Sequence, residues 1–299
     1  MRLLVSRHLE NFMALYSARN MHAAADAKGI SQPALTKSLK LLEADLGVEL
    51  FARTSKGIEA TPAGHRLYRY ASAIEQQARL AAMDFPEFAE RLGGRIRIGV
   101  GPVLAASVFP AIVVAFHNRF RTINVAVETG ISSSLAEGLI NNDHDLIVAA
   151  RPDEPLGSEF QSQALFGSEM IVICRKDHPL RSSGAVTIGD LVRYERVGFI
   201  EDREFEKKSR RALGAHSESM QPHIETASMA VMFGILASTD YYAIASDILL
   251  PRAEQDGLSR LNIGQDLWRI EVEMMCRRSL AKSRPIMVMR DLLLSRVNG

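Results

Sequence analysis

The chain reads as a multidomain α/β protein, and three observations predict this. Short amphipathic helices fill the first fifty residues, one of them locally basic. A near-heptad apolar stripe follows over residues 67–81. Beyond residue 94 strands alternate with helices, the pattern of a parallel sheet covered by helices. At 299 residues there is room for two or three domains with real cores, and 47% hydrophobic against 24% charged residues is an ordinary globular balance.

Leu9, Phe12, Met13 and Tyr16 fall at i, i+3, i+4 and i+7, giving a first helix. Asn20 can cap the next, Met21 to Lys28, and Gly29 ends it and makes the turn. Ser31 caps a third helix that tolerates Pro33 in its first turn, where early amides lack intrahelical acceptors. Leu35, Leu39 and Leu42 face inward, while Gln32, Thr36, Lys37 and Lys40 face out. Residues 28–40 hold three lysines and no carboxylate in a chain whose net charge is only +1, so the basic face is local. Phe51, Arg53, Lys56-Gly57 and Ile58 predict a small β-wing.

Thr61-Pro62 opens a long helix. Leu67, Tyr70, Ala71, Ile74, Ala78 and Ala81 form its apolar stripe, which predicts a partner helix and hence dimerisation. Pro86 limits it, and Gly93-Gly94 marks a boundary. Then come a strand at Arg95 to Val100, a helix at Leu104 to Arg119, a strand at Ile123 to Glu128, a helix at Ser134 to Asn141 and a strand at Asp145 to Ala150, an order that demands a parallel sheet. Later strands are expected at Glu169 to Arg175, Arg196 to Ile200, His223 to Glu225 and Tyr242 to Ala245. Trp268, Ile270, Val272, Met274 and Cys276 alternate as a half-buried strand, and Ser283 and Pro285 start a terminal helix.

Several classes are argued against. His8, Glu10 and Asn11 interrupt any signal-peptide core, and no apolar run is long enough to span a membrane. Cys174 and Cys276 form no CxxC pair and read as small apolar side chains inside strands. His117, His144, His178, His216 and His223 lack metal spacing and are expected in surface or capping roles, so neither a metal nor a catalytic residue is assigned. Gly99-Val100-Gly101 fails as a dinucleotide fingerprint because position 104 is Leu104, and no phosphate loop exists; no cofactor is expected.

The N-terminal part resembles the LysR-type transcriptional regulators. The match runs through Leu9-x-x-Phe12, Ala24-Ala25, Ile30 to Thr36, Leu42-Glu43, Leu46-Gly47, Leu50-Phe51-x-Arg53 and Thr61-Pro62-x-Gly64. The remainder is similar to that family's effector-binding domain through Arg97-Ile98-Gly99, Phe109-Pro110, Phe116, Leu139 and Asp145-Leu146. The chain departs from the family pattern at Arg19-Asn20, at Lys28, whose stem would snorkel, and at Ser238 to Tyr242.

The resemblance implies a winged helix-turn-helix over residues 1–60, a linker and dimerisation helix over 61–91, and an effector domain over 92–299. The last would be two periplasmic-binding-protein-like α/β subdomains, the first about 95–161 plus 267–299, the second about 162–266. It implies a cytoplasmic, non-enzymatic homodimer or homotetramer that binds double-stranded DNA at a roughly palindromic promoter site, with RNA polymerase as a further partner.

The base-reading positions of the family fall on Gln32, Pro33, Thr36 and Lys37, whose side chains suit a major groove: Gln32 for adenine, Lys37 for guanine, Thr36 and Pro33 for apolar or hydroxyl contacts. Ser31, Lys40 and Arg53 are assigned to phosphates. Dimerisation falls on Leu67, Tyr70, Ala71, Ile74 and Ala78. In open α/β sheets ligands sit beyond the carboxyl ends of strands. The effector is therefore expected against Gly101, Pro102, Val103, Ser132 and Ser133, and by analogy Phe199, Glu201 and Thr226. A small organic acid is the expected effector, although Glu201 and Glu225 would instead suit a polar, neutral or cationic one. Ser132 reads equally well as a helix cap, and the Gly101 amide can stand where the family often has a hydroxyl. A solute-binding protein or a cofactor-dependent enzyme is the competing class.

Overall fold

A computed structural model describes residues 6–54, 57–83, 95–152, 154–182, 184, 186–200 and 203–297. Lys56, Pro86, Gly93, Gly94 and Glu201 lie outside the described residues, as does the side chain of Arg53. The chain divides into two compact units, Met1–Arg79 and Leu80–Gly299.

In the first unit, α1 is Arg7–Ala18, α2 Met21–Lys28 and α3 Gln32–Leu46. Asn20 accepts hydrogen bonds from the His22 and Ala23 amides, and Gly29 closes α2 at φ 63°, a left-handed turn that suits glycine. Ser31 accepts from the Ala34 amide to start α3. A hairpin follows, β1 Phe51–Thr54 against β2 Gly57–Ala60 in antiparallel register. Glu43 ties it to α3: its carboxylate accepts from the Leu50 amide at 2.8 Å.

The fourth helix, α4, spans Pro62–Met83. The Thr61 hydroxyl accepts from the Gly64 amide at 3.0 Å and donates to the Glu49 carbonyl at 2.7 Å. At Gly64 a Cβ would lie 2.2 Å from the Leu50 carbonyl oxygen, so only glycine lets α4 approach this closely. Leu9, Phe12, Leu15, Leu35, Leu39, Leu42 and Leu50 form the core.

Leu67 and Ala71 join that core, at 9% and 1% exposure. This corrects the expected stripe. A near-heptad reading merged two faces of one helix, and the tertiary fold uses Leu67 and Ala71 to cover α1. Tyr70 at 66% and Ile74 at 41% remain exposed, with Ala78 also exposed.

In the second unit, β3 is Arg95–Val100, α5 Pro102–Ala106, α6 Phe109–Arg119, β4 Asn124–Thr129, α7 Ser132–Ile140 and β5 Leu146–Ala150. The single helix expected over residues 104–119 is broken at Ser107, because Pro110 has no amide hydrogen to carry the ladder through. β3 pairs in parallel with β4 and β5, as expected.

The remaining elements are β6 Phe160–Arg175, α8 Ile188–Leu191, β7 Val197–Phe199, α9 Arg203–Leu213, β8 Ile224–Thr226, α10 Met229–Ser238, β9 Tyr242–Ser246, α11 Leu250–Gln255, β10 Leu258–Leu261, β11 Arg269–Arg277 and α12 Arg284–Val297. The sheet order is β10-β6-β11-β5-β3-β4, with β9 also on β6, and β7 and β8 form a separate parallel pair. β11 runs antiparallel to both β5 and β6, so the sheet is mixed rather than wholly parallel. β6 begins nine residues earlier than Glu169. Its first half pairs with β11 and its second with β9 and β10, so one strand serves both halves of the unit. Polar Gln161, Ser162 and Gln163 hid that start, since nothing there alternates with apolar residues.

Val272–Cys276 is buried without interruption. Val272, Met274 and Cys276 meet the α6 and α12 side chains, while Met275 packs with Leu135 and Leu139 of α7. The sheet is covered on both faces there, which replaces the half-buried strand expected. Both cysteines sit buried in strands, and burial pushes each thiol up to about 11, leaving little thiolate for redox chemistry.

Of the histidines expected in surface or capping roles, two are buried, His144 at 3% and His178 at 2%, and His178 does cap, its Nδ1 accepting from the Leu180 amide at 3.2 Å. Glycine makes room for the first: a Cβ at Gly138 would lie 2.6 Å from its ring. Burial lowers the pKa of both from 6.5, against the opposing pull of Glu128 on His144 and of the Asp240 carbonyl on His178. A base held neutral in the fold takes up its proton only in the unfolded chain. Stability of this unit is therefore full above about pH 6.5 and falls as pH drops through the window below it. Asp143, raised by burial from 3.8, acts in the opposite sense but in a more acidic range. Urea midpoints across this range should fall on acidification, and the fall should flatten in a His144→Gln, His178→Asn double variant. An unchanged slope would refute it.

Candidate functional site

Two surfaces carry chemistry, one in each unit. In the first, Gln32, Pro33, Thr36, Lys37, Lys40 and Leu41 line one open depression along α3. Ser31, Gln32, Pro33, Lys37 and Lys40 are exposed and Thr36 half-buried, while Leu35, Ser38, Leu39 and Leu42 hold the opposite face in the core. Leu41, 45% exposed, was not singled out from sequence; an apolar residue beside four polar ones gives no signal until the helix is docked.

Charge on this face is more concentrated than the lysine count suggests. Lys28 is engaged by Glu10 at 3.0 Å, which neutralises its charge and sets it apart from the lysines of the α3 face. Lys37 and Lys40 have no ion pair among the described residues. The start of α3 also brings the partial positive charge of a helix N-terminus to the same place. Ser31 Oγ is committed as acceptor to the Ala34 amide at 3.4 Å, which leaves its hydrogen free to donate outward. Gln32 Nε2 lies 3.0 Å from His22 Nδ1. Arg53 is in β1 beside this helix in sequence, with its side chain outside the described set.

The second surface is a cavity of about 140 Å³ in the α/β unit. Gly101, Pro102 and Val103 from the β3–α5 turn, Ser132 at the start of α7 and Phe199 of β7 line it. Ser133 is exposed and Thr226 caps its own turn, accepting from the Ser228 amide at 3.0 Å; neither lines the cavity. Glu225 also stands outside the lining.

Two local readings are corrected. The Gly101 amide donates to the Val148 carbonyl at 2.8 Å, so the sheet has taken it and it cannot replace a hydroxyl. Ser132 is not a cap: Ile131 holds that position with no side-chain bond, and Ser132 is 9% exposed. Its hydroxyl and the orphan amides of the first α7 turn are thereby left for the cavity.

Sequence reasoning missed Lys208 of α9, Arg151 after β5, and an apolar floor that includes Met170, Met232, Ile244 and Val272. Lys208 has no ion pair among the described residues. The Arg151 guanidinium donates to Glu273, which is buried at 4% and also accepts from Ser162 Oγ. Lys208 was invisible because a run of charges on a polar helix reads as solvated, and only the fold brings it to the cavity. The arrangement suits a compact anion with an apolar body: a cation and helix-end amides for the charge, methionines and aliphatic side chains for the rest.

Comparison with known proteins gives two family-model matches. Residues 6–65 match the bacterial regulatory helix-turn-helix protein model of the lysR family, and residues 89–298 match the LysR substrate binding domain. The HTH-type transcriptional regulator GbpR of Azospirillum brasilense is 32% identical over 187 residues, 62% of this chain and 55% of that one, so the similarity spans little more than half of the relative. Among solved structures, a full-length cysteine-to-aspartate variant of OxyR from Pseudomonas aeruginosa aligns with a TM-score of 0.71 at 20% identity, covering 98% of this chain and 94% of that one. Full-length CbnR complexed with its target DNA aligns with a TM-score of 0.64 at 18% identity, covering 97% and 98%.

Proposed function

We propose, from the premise that this chain belongs to the LysR family of bacterial regulators, that it is a sequence-specific DNA-binding transcriptional regulator governed by a small-molecule effector. The observation that carries the reading is the exposed face of α3. Gln32, Thr36, Lys37 and Lys40 stand on one capped helix whose other face is anchored by leucines. Such a helix fits a major groove, and short polar side chains and lysines can read base edges there. Gln32, Pro33, Thr36 and Lys37 would contact bases, with Ser31, Lys40 and Arg53 on phosphates.

The chain acts as a homodimer or higher homo-oligomer on a roughly palindromic site. Its pairing surface on α4 is Tyr70, Ile74 and Ala78, the part of the apolar stripe that the core leaves exposed. The effector is a small organic acid held at Lys208 and Ser132, and its binding would alter how the dimers contact DNA and RNA polymerase. We read the protein as non-catalytic and cytoplasmic. No helix among the described residues is long and apolar enough to cross a membrane, and none of their His, Cys, Asp and Glu residues group as a metal site.

Selection from a random pool of duplexes with the full chain tests the reading. A palindromic motif should be enriched, and binding without sequence preference would overturn it. Lys37→Ala should relax preference at one position of each half-site by about 1–3 kcal/mol, whereas Lys40→Ala should weaken all sequences alike and reduce the salt slope by about one. Equal effects of the two variants on selected and random DNA would defeat the assignment. A thermal-shift panel of monocarboxylic acids tests the cavity, since a ligand that binds only the folded state raises its stability.

A further inference from the structure

The glutamine at the start of α3 meets a histidine of α2. Gln32 Nε2 lies 3.0 Å from His22 Nδ1, and the other ring nitrogen, Nε2, lies 3.4 Å from Asp26 Oδ2 one turn further along α2. An amide nitrogen donates hydrogen bonds and has no lone pair to offer, so Nδ1 must be the bare, accepting nitrogen. The ring proton then sits on Nε2, facing the Asp26 carboxylate. Carboxylate, imidazole and amide form a directed chain that ends on a base-reading position.

We propose that His22, oriented by Asp26, is a positioning residue that sets the donor–acceptor order of Gln32 and through it the base that Gln32 prefers. The inference rests on the DNA-reading role proposed above. A primary amide carries two hydrogens. One is spent on His22, and the other stands beside Oε1 as an outward donor–acceptor pair. That pair matches the N7 acceptor and N6 donor of adenine in the major groove. Turning the amide over exchanges its two ends and presents the pair in the reverse order.

Two changes would turn it over. Protonating the imidazole makes Nδ1 a donor, which demands Oε1 of Gln32 in place of Nε2. Removing the Asp26 carboxylate frees the tautomer, so Nδ1 can carry the proton in a neutral ring. Asp26 is the charged group that faces the imidazole among the described residues. α3 presents it with the neutral Gln32 amide, and the Glu10 carboxylate of α1 is engaged by Lys28. His22 and Asp26 are both exposed, with side chains 74% and 66% accessible, so neither serves the core and both can be replaced without loss of packing.

The test is selection from a random duplex pool with the full chain. The wild type should favour A·T over other pairs at one half-site position by on the order of tenfold. His22→Ala and Asp26→Ala should lose that preference while other positions of the motif persist. His22→Asn, whose Oδ1 can stand in as an acceptor, should keep it. In a Gln32→Ala background, His22→Ala should change nothing further. A His22→Ala motif with the same strength at every position as the wild type overturns the relay alone. A wild-type pool with no enriched motif overturns the DNA-reading role and the relay with it.

Discussion

Phe12→Ala should strongly destabilise the N-terminal unit and leave the α/β unit standing. Phe12 has no exposed surface, and its ring centroid lies 6.1 Å from that of Tyr16 and 5.4 Å from that of Phe51, so it joins α1 to the hairpin. Truncating such a ring removes its transfer energy and leaves a cavity, about 3–5 kcal/mol in all. That approaches the whole stability of a small unit, typically about 5–15 kcal/mol. In a unit of this size each kcal/mol moves the midpoint by roughly 4–8 °C, so the first transition in calorimetry should drop by about 12 °C or more. DNA binding at growth temperature should fall with the folded fraction, and the second transition should hold its place. A first transition within about two degrees of wild type would show that the site collapses around the smaller side chain, contrary to the packing argument. Val48→Ala, at a position 46% exposed after α3, is the matching control for this unit.

Asp145→Ala should have an effect of the same order in the other unit. Asp145 is 1% exposed, and its carboxylate accepts from the Arg97 backbone amide at 2.7 Å and from the Arg97 guanidinium at 3.3 Å. Its own amide donates to the Arg97 carbonyl, so the pair clamps the start of β5 to β3. Removing the carboxylate leaves the Arg97 amide without its acceptor, about 1–3 kcal/mol, and adds the lost attraction of a guanidinium that is 24% exposed. Urea unfolding should show a lower midpoint with an unchanged slope, as expected of lost stability without altered compactness. Since β3 and β5 carry Gly101 and Arg151 to the cavity, ligand-induced thermal shifts should weaken as well. A variant as stable as the wild type would show the pair to be near neutral, with its desolvation already offsetting its attraction.

Some motif positions could be recognised in sequence before their physical reason was visible. Asp145, Glu43 and Gly64 stood out only as members of a spaced pattern. In the fold, Asp145 clamps two strands and Glu43 accepts from the Leu50 amide. Gly64 lacks a Cβ where one would lie 2.2 Å from a carbonyl oxygen. Where the sequence misled, the cause was periodicity without a partner. The α4 stripe mixed Leu67 and Ala71 with Tyr70 and Ile74 because a seven-residue count cannot tell one buried face from two. The burial of His144 went unread because a lone histidine gives no sign that Gly138 has cleared space for it.

By itself the sequence determined what is local. Caps at Asn20 and Ser31, the turn at Gly29, the inner leucines of α3 and the alternation of β3, β4 and β5 with helices depend on residues within a few positions of one another. Each is decided by dihedral preference and by short-range hydrogen bonds. The face of α3 was legible for the same reason. Only the tertiary structure decided what distant segments share. It brought Lys208 and Ser132 to one cavity, ran β6 through both halves of the sheet, and laid Asp26 and His22 of one helix against Gln32 of the next. Such meetings are set by how whole elements pack to bury their apolar faces, and no short stretch of chain carries that information.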